Sequence, residues 1–222
     1  VDTLLIGTIH PYQFDNPPEA GALGICPTNK WGEAQKLLHH LWVRKLLKDF
    51  KPDIVFDESH CALVGLGLEH QGFEFLRSTN YVPFDIPWVY MDVPVNPRTV
   101  EKLRNALFAE DMGYQFLMRE QYWLQTISWI ADAMGAQRIA VICGSLHVQR
   151  GWLEQQLSAF GTVETHNVLD QHWCNDKWQK NPHDQSIVDG WVEEHAKKNV
   201  RLGKTCMYCE AIKRTSYGTT MP

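Results

Sequence analysis

Along the chain, short apolar runs bounded by glycine, proline or acidic residues alternate with longer stretches in which apolar positions return every three or four residues. Leu4-Leu5-Ile6, closed by Gly7, reads as a buried strand. Helical periodicity occupies Trp31 to Phe50, with Ala34, Leu38, Leu41, Val43, Leu46, Leu47 and Phe50 on one broad face. Lys51-Pro52-Asp53 stops it, because the residue before a proline is driven out of the helical region, and Ile54-Val55-Phe56 makes a second strand. This strand-helix-strand unit predicts a right-handed crossover. Trp88 to Met91 is a third strand, and Asn96-Pro97 with Thr99 opens helical sequence that Gly113 is expected to divide. A helix from Tyr114 to Met134 follows, then a strand over Arg138 to Cys143, a helix opened by His147 and running to Phe160, and a strand over Thr162 to Val168.

The expected fold is therefore α/β. It has a central, mainly parallel or mixed sheet built from two strand-GxxH-helix halves, flanked by helices, with a C-terminal extension. Residues 1–168 make up the expected catalytic domain. Residues 169–222, polar and carrying Trp173, Trp178 and Trp191, make up an extension packed on it, with a mobile end.

Composition narrows the possibilities. A chain of 222 residues, 44% hydrophobic and 21% charged, is long enough to bury a substantial core. A net charge of −5, with no block of lysine and arginine, excludes a nucleic-acid phosphate footprint. No apolar stretch approaches the ~18 residues needed to span a bilayer, and the first residues lead straight into a strand without a basic leader; a soluble, cytoplasmic protein is expected. The six cysteines are scattered and expected to be reduced. Cys206-Met-Tyr-Cys209 is a lone CxxC whose further ligands have no standard spacing, so no structural zinc is expected there.

The chemistry concentrates at strand ends. Gly7-Thr8-Ile9-His10 and Gly144-Ser145-Leu146-His147 each place a histidine just past the carboxyl end of a strand, the edge where open α/β sheets bind ligands. If the two strands are neighbours, ~4.8 Å apart, both imidazoles reach one small ligand or metal ion. Asp57-Glu58-Ser59-His60 ends another strand, which makes Glu58 a candidate and His60 an outside one. In the long helix, Leu117, Leu124, Ile127, Ala131 and Met134 form an apolar stripe that Glu120 interrupts, and Arg119 adjoins it with Phe116, Trp123 and Ile130. Charged side chains aimed inward require partners, which are ligands, each other, or the strand-end groups. The long Pro, Gly and Asn-rich stretch from Pro11 to Asn29 is a candidate lid beside His10.

His10, Glu58 and His147 suit a divalent metal such as manganese, cobalt or zinc, which lowers the pKa of bound water. Placed at a helix amino end, His147 is expected to favour neutral imidazole. Arg119 then binds a substrate carboxylate or an oxyanion. Without metal, histidine or Glu58 activates water directly. The plainer readings are a hydrogen-bonded structural histidine at each strand end and a buried Arg119-Glu120 ion pair. His39 and His40 are expected at the surface, and Cys143 in the core rather than as a nucleophile.

The ordered set resembles the superfamily that joins TraB/PrgY pheromone-shutdown proteins, Tiki proteases, ChaN-like proteins and erythromycin esterases. Gly7 to His10 looks like its first GxxH, Lys51-Pro52-Asp53-Ile54-Val55-Phe56-Asp57-Glu58 is similar to the TraB-type strand, Arg119-Glu120-x-Tyr122 resembles its Arg-acidic helical element, and Gly144 to His147 resembles the second GxxH. The resemblance covers the chain to about residue 168. It implies an α/β fold and a hydrolase-type site, with divalent-metal peptidase activity for Tiki-like members, lactone hydrolysis for the esterases, and haem for ChaN-like proteins. Tyr122-Trp123-Leu124 replaces the usual small-Met-Ala continuation, and no membrane segment is expected. The leading expectation is a metal-dependent hydrolase of a peptide, or of a small amide or ester. The alternatives are a non-catalytic binder of haem or another flat ligand through Trp88, Tyr90 or Trp123, and an interaction protein whose Trp-bearing tail docks a partner.

Overall fold

The computed structural model describes residues 1–8, 33–58, 86–91, 112–174, 178–179 and 181–201. Within them the chain is an α/β protein with a five-stranded, all-parallel sheet. The strands are β1 (Asp2–Thr8), β2 (Ile54–Asp57), β3 (Trp88–Tyr90), β4 (Arg138–Gly144) and β5 (Val163–Asn167). The helices are α1 (Glu33–Phe50), α2 (Met112–Met134), α3 (Ser145–Gln149), α4 (Trp152–Leu157) and α5 (Pro182–Arg201). No helix among the described residues is long and apolar enough to cross a membrane. By its internal contacts the chain divides into two compact units, one of residues 1–15 and 44–170, the other of residues 16–43 and 171–222.

The first unit holds the sheet, in the order β3-β2-β4-β1-β5. Strand β4 therefore lies between β1 and β2, and the two ends of the expected first crossover are not adjacent. The GxxH-bearing strands are neighbours: β1 runs beside β4 with Thr8 opposite Gly144, and β2 flanks β4 on its other side with Asp57 opposite Ile142. Successive side chains of a strand point to opposite faces, and here both faces are filled. Leu5, Ile54, Phe56, Ile139, Val141 and Cys143 pack in one cluster with Trp123, Ile127 and Ala131 of α2 and with Leu153 and Leu157 of α4. Leu4, Ile6, Val55, Ala140 and Ile142 are buried as the alternate set. Burial on both faces is why these strands read as unbroken apolar runs.

Several expectations are corrected. Gly113 is the second residue of α2, and the helical sequence expected before it lies outside the described residues. The helix expected from His147 to Phe160 is two short helices that begin at Ser145, because Gly151 adopts φ 70°, a left-handed conformation that interrupts the helical path. Met134 is exposed rather than part of the buried stripe. The chain turns there in a Schellman arrangement, with Gly135 N–H donating to the Asp132 carbonyl and Ala136 N–H to the Ala131 carbonyl, so that Ala131 and Ala136 take the buried positions.

In the second unit, His39 and His40 are buried rather than at the surface. Their rings belong to an aromatic group in which His39 meets Trp42 and Trp173, each at about 6.1 Å between centroids. Burial first, and the neighbouring His40 second, push the His39 pKa well below its ordinary value. Helix α5 opens on an asparagine N-cap. The Asn181 side chain accepts the Asp184 N–H at 2.8 Å, and its amide donates back to Asp184 Oδ2 at 2.8 Å, with Pro182 at the first helical position.

Candidate active site

The carboxyl edge of the sheet gathers four of the expected residues. Glu58 follows β2, where its own N–H donates to the Ile142 carbonyl at 2.9 Å and continues the pairing with β4 by one residue. Its side chain then caps the end of β4: Oε2 accepts the Gly144 N–H at 2.6 Å, and Oε1 accepts a charge-assisted bond from Arg119 Nη2. The Glu58 side chain is 1% exposed and that of Arg119 29%, so the guanidinium forms the accessible side of the pair.

Sequence periodicity aimed Glu120 inward, and its partner is His147: Oε1 lies 2.6 Å from Nδ1. The other ring nitrogen, Nε2, lies 3.5 Å from Glu58 Oε1. Both His147 and Glu120 are buried. The indole of Trp123, four residues beyond Arg119, lies 4.5 Å from the His147 ring between centroids, and the Arg119 guanidinium sits 5.1 Å from the Trp123 centroid. Helix α2 thus presents three consecutive functions from one turn. Arg119 reaches Glu58, Glu120 reaches His147, and Trp123 packs against both the guanidinium and the imidazole. The role of Trp123 was not legible in sequence, where an aromatic at helical spacing reads as core; the signal available was its four-residue step from Arg119.

The first glycine of the first GxxH has a packing role. A Cβ on Gly7 would stand 2.8 Å from Val148 Cγ2 and 3.2 Å from Ser145 Cα, so its absence lets α3, which carries His147, lie directly on β1. Thr8 Oγ1 donates to the Cys143 carbonyl at 3.1 Å and ties the two strand ends together. His10, two residues beyond Thr8 in sequence, and His60 both lie outside the described residues.

The expected neutrality of His147 is reversed. Burial alone lowers its pKa, but hydrogen bonding to Glu120 and Glu58, with the negative charge of Glu58, outweighs burial and the opposing Arg119, and the net shift is upward. A helix of five residues supplies too small a dipole to compete with two carboxylates in contact. Cys143 is buried, and desolvation first, then the charges of Glu58, Glu120 and Asp57, push its thiol pKa well up against the smaller opposing effect of Arg119. It is a protonated core residue, not a nucleophile.

A divalent metal was expected on His10, Glu58 and His147. Among the described residues, no group of three or more histidine, cysteine, aspartate or glutamate side chains is set to hold one. The third expected ligand, His10, lies outside the described residues; of the other two, Glu58 carries a guanidinium and a backbone N–H, and His147 has a carboxylate oxygen near each ring nitrogen. Cys206 and Cys209 lie outside the described residues, and Cys143 is a buried free thiol.

No protein-family model matches the chain, and no curated protein or solved structure is significantly similar to it.

Proposed function

We propose that the protein is a hydrolase that cleaves an ester or amide bond with water as the nucleophile. The observation that carries the reading is the buried Glu58 carboxylate at the carboxyl edge of a parallel sheet, joined at once to Arg119, the Gly144 N–H and His147. In open α/β sheets that edge is where ligands bind. Arg119, the more exposed member, supplies positive charge to the oxygen that becomes negative when a carbonyl is attacked. His147 supplies proton transfer, and Glu58 holds the guanidinium and the imidazole beside each other.

The test is hydrolysis of a panel of carboxylic esters and amides by the purified chain, its His147→Gln and Arg119→Ala variants, and the chelated protein. His147→Gln is expected to lower kcat/KM by roughly a hundredfold or more, the usual scale of a general acid-base group. Activity is expected to survive EDTA. Loss on chelation, restored by manganese, cobalt or zinc, would return the site to the metal reading of His10, Glu58 and His147. Turnover equal in all variants would sink the proposal.

A further inference from the structure

Strand β5 closes one side of the sheet: β1 pairs with it on one flank, and among the described residues no strand lies beyond it. Thr3 N–H donates to the Thr162 carbonyl at 2.8 Å, and Thr3 and Leu5 stand opposite Val163 and Thr165. In a parallel ladder that register turns the N–H and C=O of Glu164 and His166 toward β1, and those of Val163, Thr165 and Asn167 away from it. Side chains alternate too, so Glu164 and His166 share one face. There Glu164 Oε1 lies 2.7 Å from His166 Nε2, and the two side chains are 61% and 31% exposed. Open sheet edges are commonly blunted by lysine, proline or a bulge; Val163-Glu164-Thr165-His166-Asn167 carries neither residue, and its pairing with β1 runs without a bulge.

We propose that β5 is the contact between two copies of this chain, joined antiparallel about a two-fold axis through Thr165. A residue that directs both its N–H and its C=O outward makes the hydrogen-bonded pairs of an antiparallel ladder. With Thr165 opposite Thr165 of the second copy, Val163 falls opposite Asn167, and all three outward residues are paired. Glu164 then falls opposite the second copy's His166, and His166 opposite its Glu164, in the non-hydrogen-bonded pairs where side chains approach most closely. This charge complementarity selects a second copy as the occupant and Thr165 as the centre. An axis through Glu164 or through His166 would instead set like groups against each other. The contact is isologous, so it closes on itself and joins the two sheets into one. Because the strands run oppositely, the carboxyl edges bearing Glu58 and His147 point away from each other, and the contact is independent of the hydrolase reading.

Sedimentation equilibrium of the purified chain, from the micromolar to the millimolar range, is expected to show monomer and dimer in exchange and nothing larger. Glu164→Lys and His166→Glu are each expected to weaken self-association about tenfold or more, since each sets like charges opposite one another. Mixed together, the two variants are expected to associate about tenfold or more tightly than either does alone, because the lysine of one faces the glutamate of the other. Neither variant keeps the pair within its own strand, so recovery in the mixture reports a contact between copies. Thr165→Pro removes an N–H that points away from β1, leaves the ladder of the single copy whole, and is expected to abolish the dimer. The charge variants decide the matter even where Thr165→Pro fails to fold. Glu193→Lys, which breaks the comparable exposed pair with Lys197 on α5, is expected to leave association unchanged. A chain that stays monomeric at millimolar concentration overturns the proposal. So does a dimer indifferent to Glu164→Lys and His166→Glu, or a mixture of the two that associates no better than either alone.

Discussion

At the scale of single residues, position decides chemistry more than residue type does. Gly7 belongs to a motif read first for its histidine, yet the glycine itself has a defined task, since a methyl group there would meet Val148 Cγ2 at 2.8 Å and the Ser145 backbone at 3.2 Å. Gly7→Ala is therefore expected to destabilise the protein by about 1–3 kcal/mol through overpacking, read as a lowered urea midpoint. An unchanged midpoint would mean that α3 shifts to make room. Glu120 was legible as an inward-aimed charge because it breaks an apolar stripe. Its partner was not legible, because nothing in helical spacing says which strand end the stripe faces. Reading His147 from its own helix alone predicted a neutral ring, whereas the two carboxylates that reverse this come from β2 and α2.

At the scale of elements, helices contribute through the few residues that one turn can present. Arg119, Glu120 and Trp123 share about one turn of α2, and the helix is held against the sheet by Trp123, Ile127 and Ala131. In the second unit, α5 begins with Asn181 as its N-cap, Pro182 at the first helical position and Asp184 two residues on. What sequence does not disclose is that the buried Asp184 Oδ2 also accepts from Trp178 Nε1 at 3.0 Å and lies 3.0 Å from His172 Nε2. Those partners come from residues before the helix that carry no periodicity. Removing this acceptor leaves donors unpaired, so Asp184→Ala is expected to cost about 1–3 kcal/mol, with Asp184→Asn retaining part of it. Thermal melts followed by circular dichroism check this, and equal melting of the alanine variant and the parent would contradict it.

At the scale of the whole molecule, two buried histidines bend stability with pH in opposite directions. The folded pKa of His147 is raised above its ordinary 6.5, so its contribution is fully present below that value and is lost as pH rises through the folded pKa. The folded pKa of His39 is depressed below the same ordinary value, so its contribution is present above about 6.5 and is lost as pH falls toward the folded value. The stability advantage of the parent over His147→Gln is accordingly expected to shrink as pH rises above the ordinary 6.5, and a His39→Phe variant to lose less stability than the parent as pH falls below it. Denaturation midpoints on either side of that value decide both, and an advantage over His147→Gln that grows with pH would contradict the first. By itself the sequence determined the fold class, the strands and the two long helices α1 and α2, because apolar period and chain-breaking residues act on near neighbours. Tertiary structure alone decided that β4 lies between β1 and β2, that Glu58 caps the end of β4, and that His147 lies between two carboxylates. The reason is physical: hydrogen bonds and charges couple groups by their separation in space, and strand order brings together residues that sequence spacing leaves far apart.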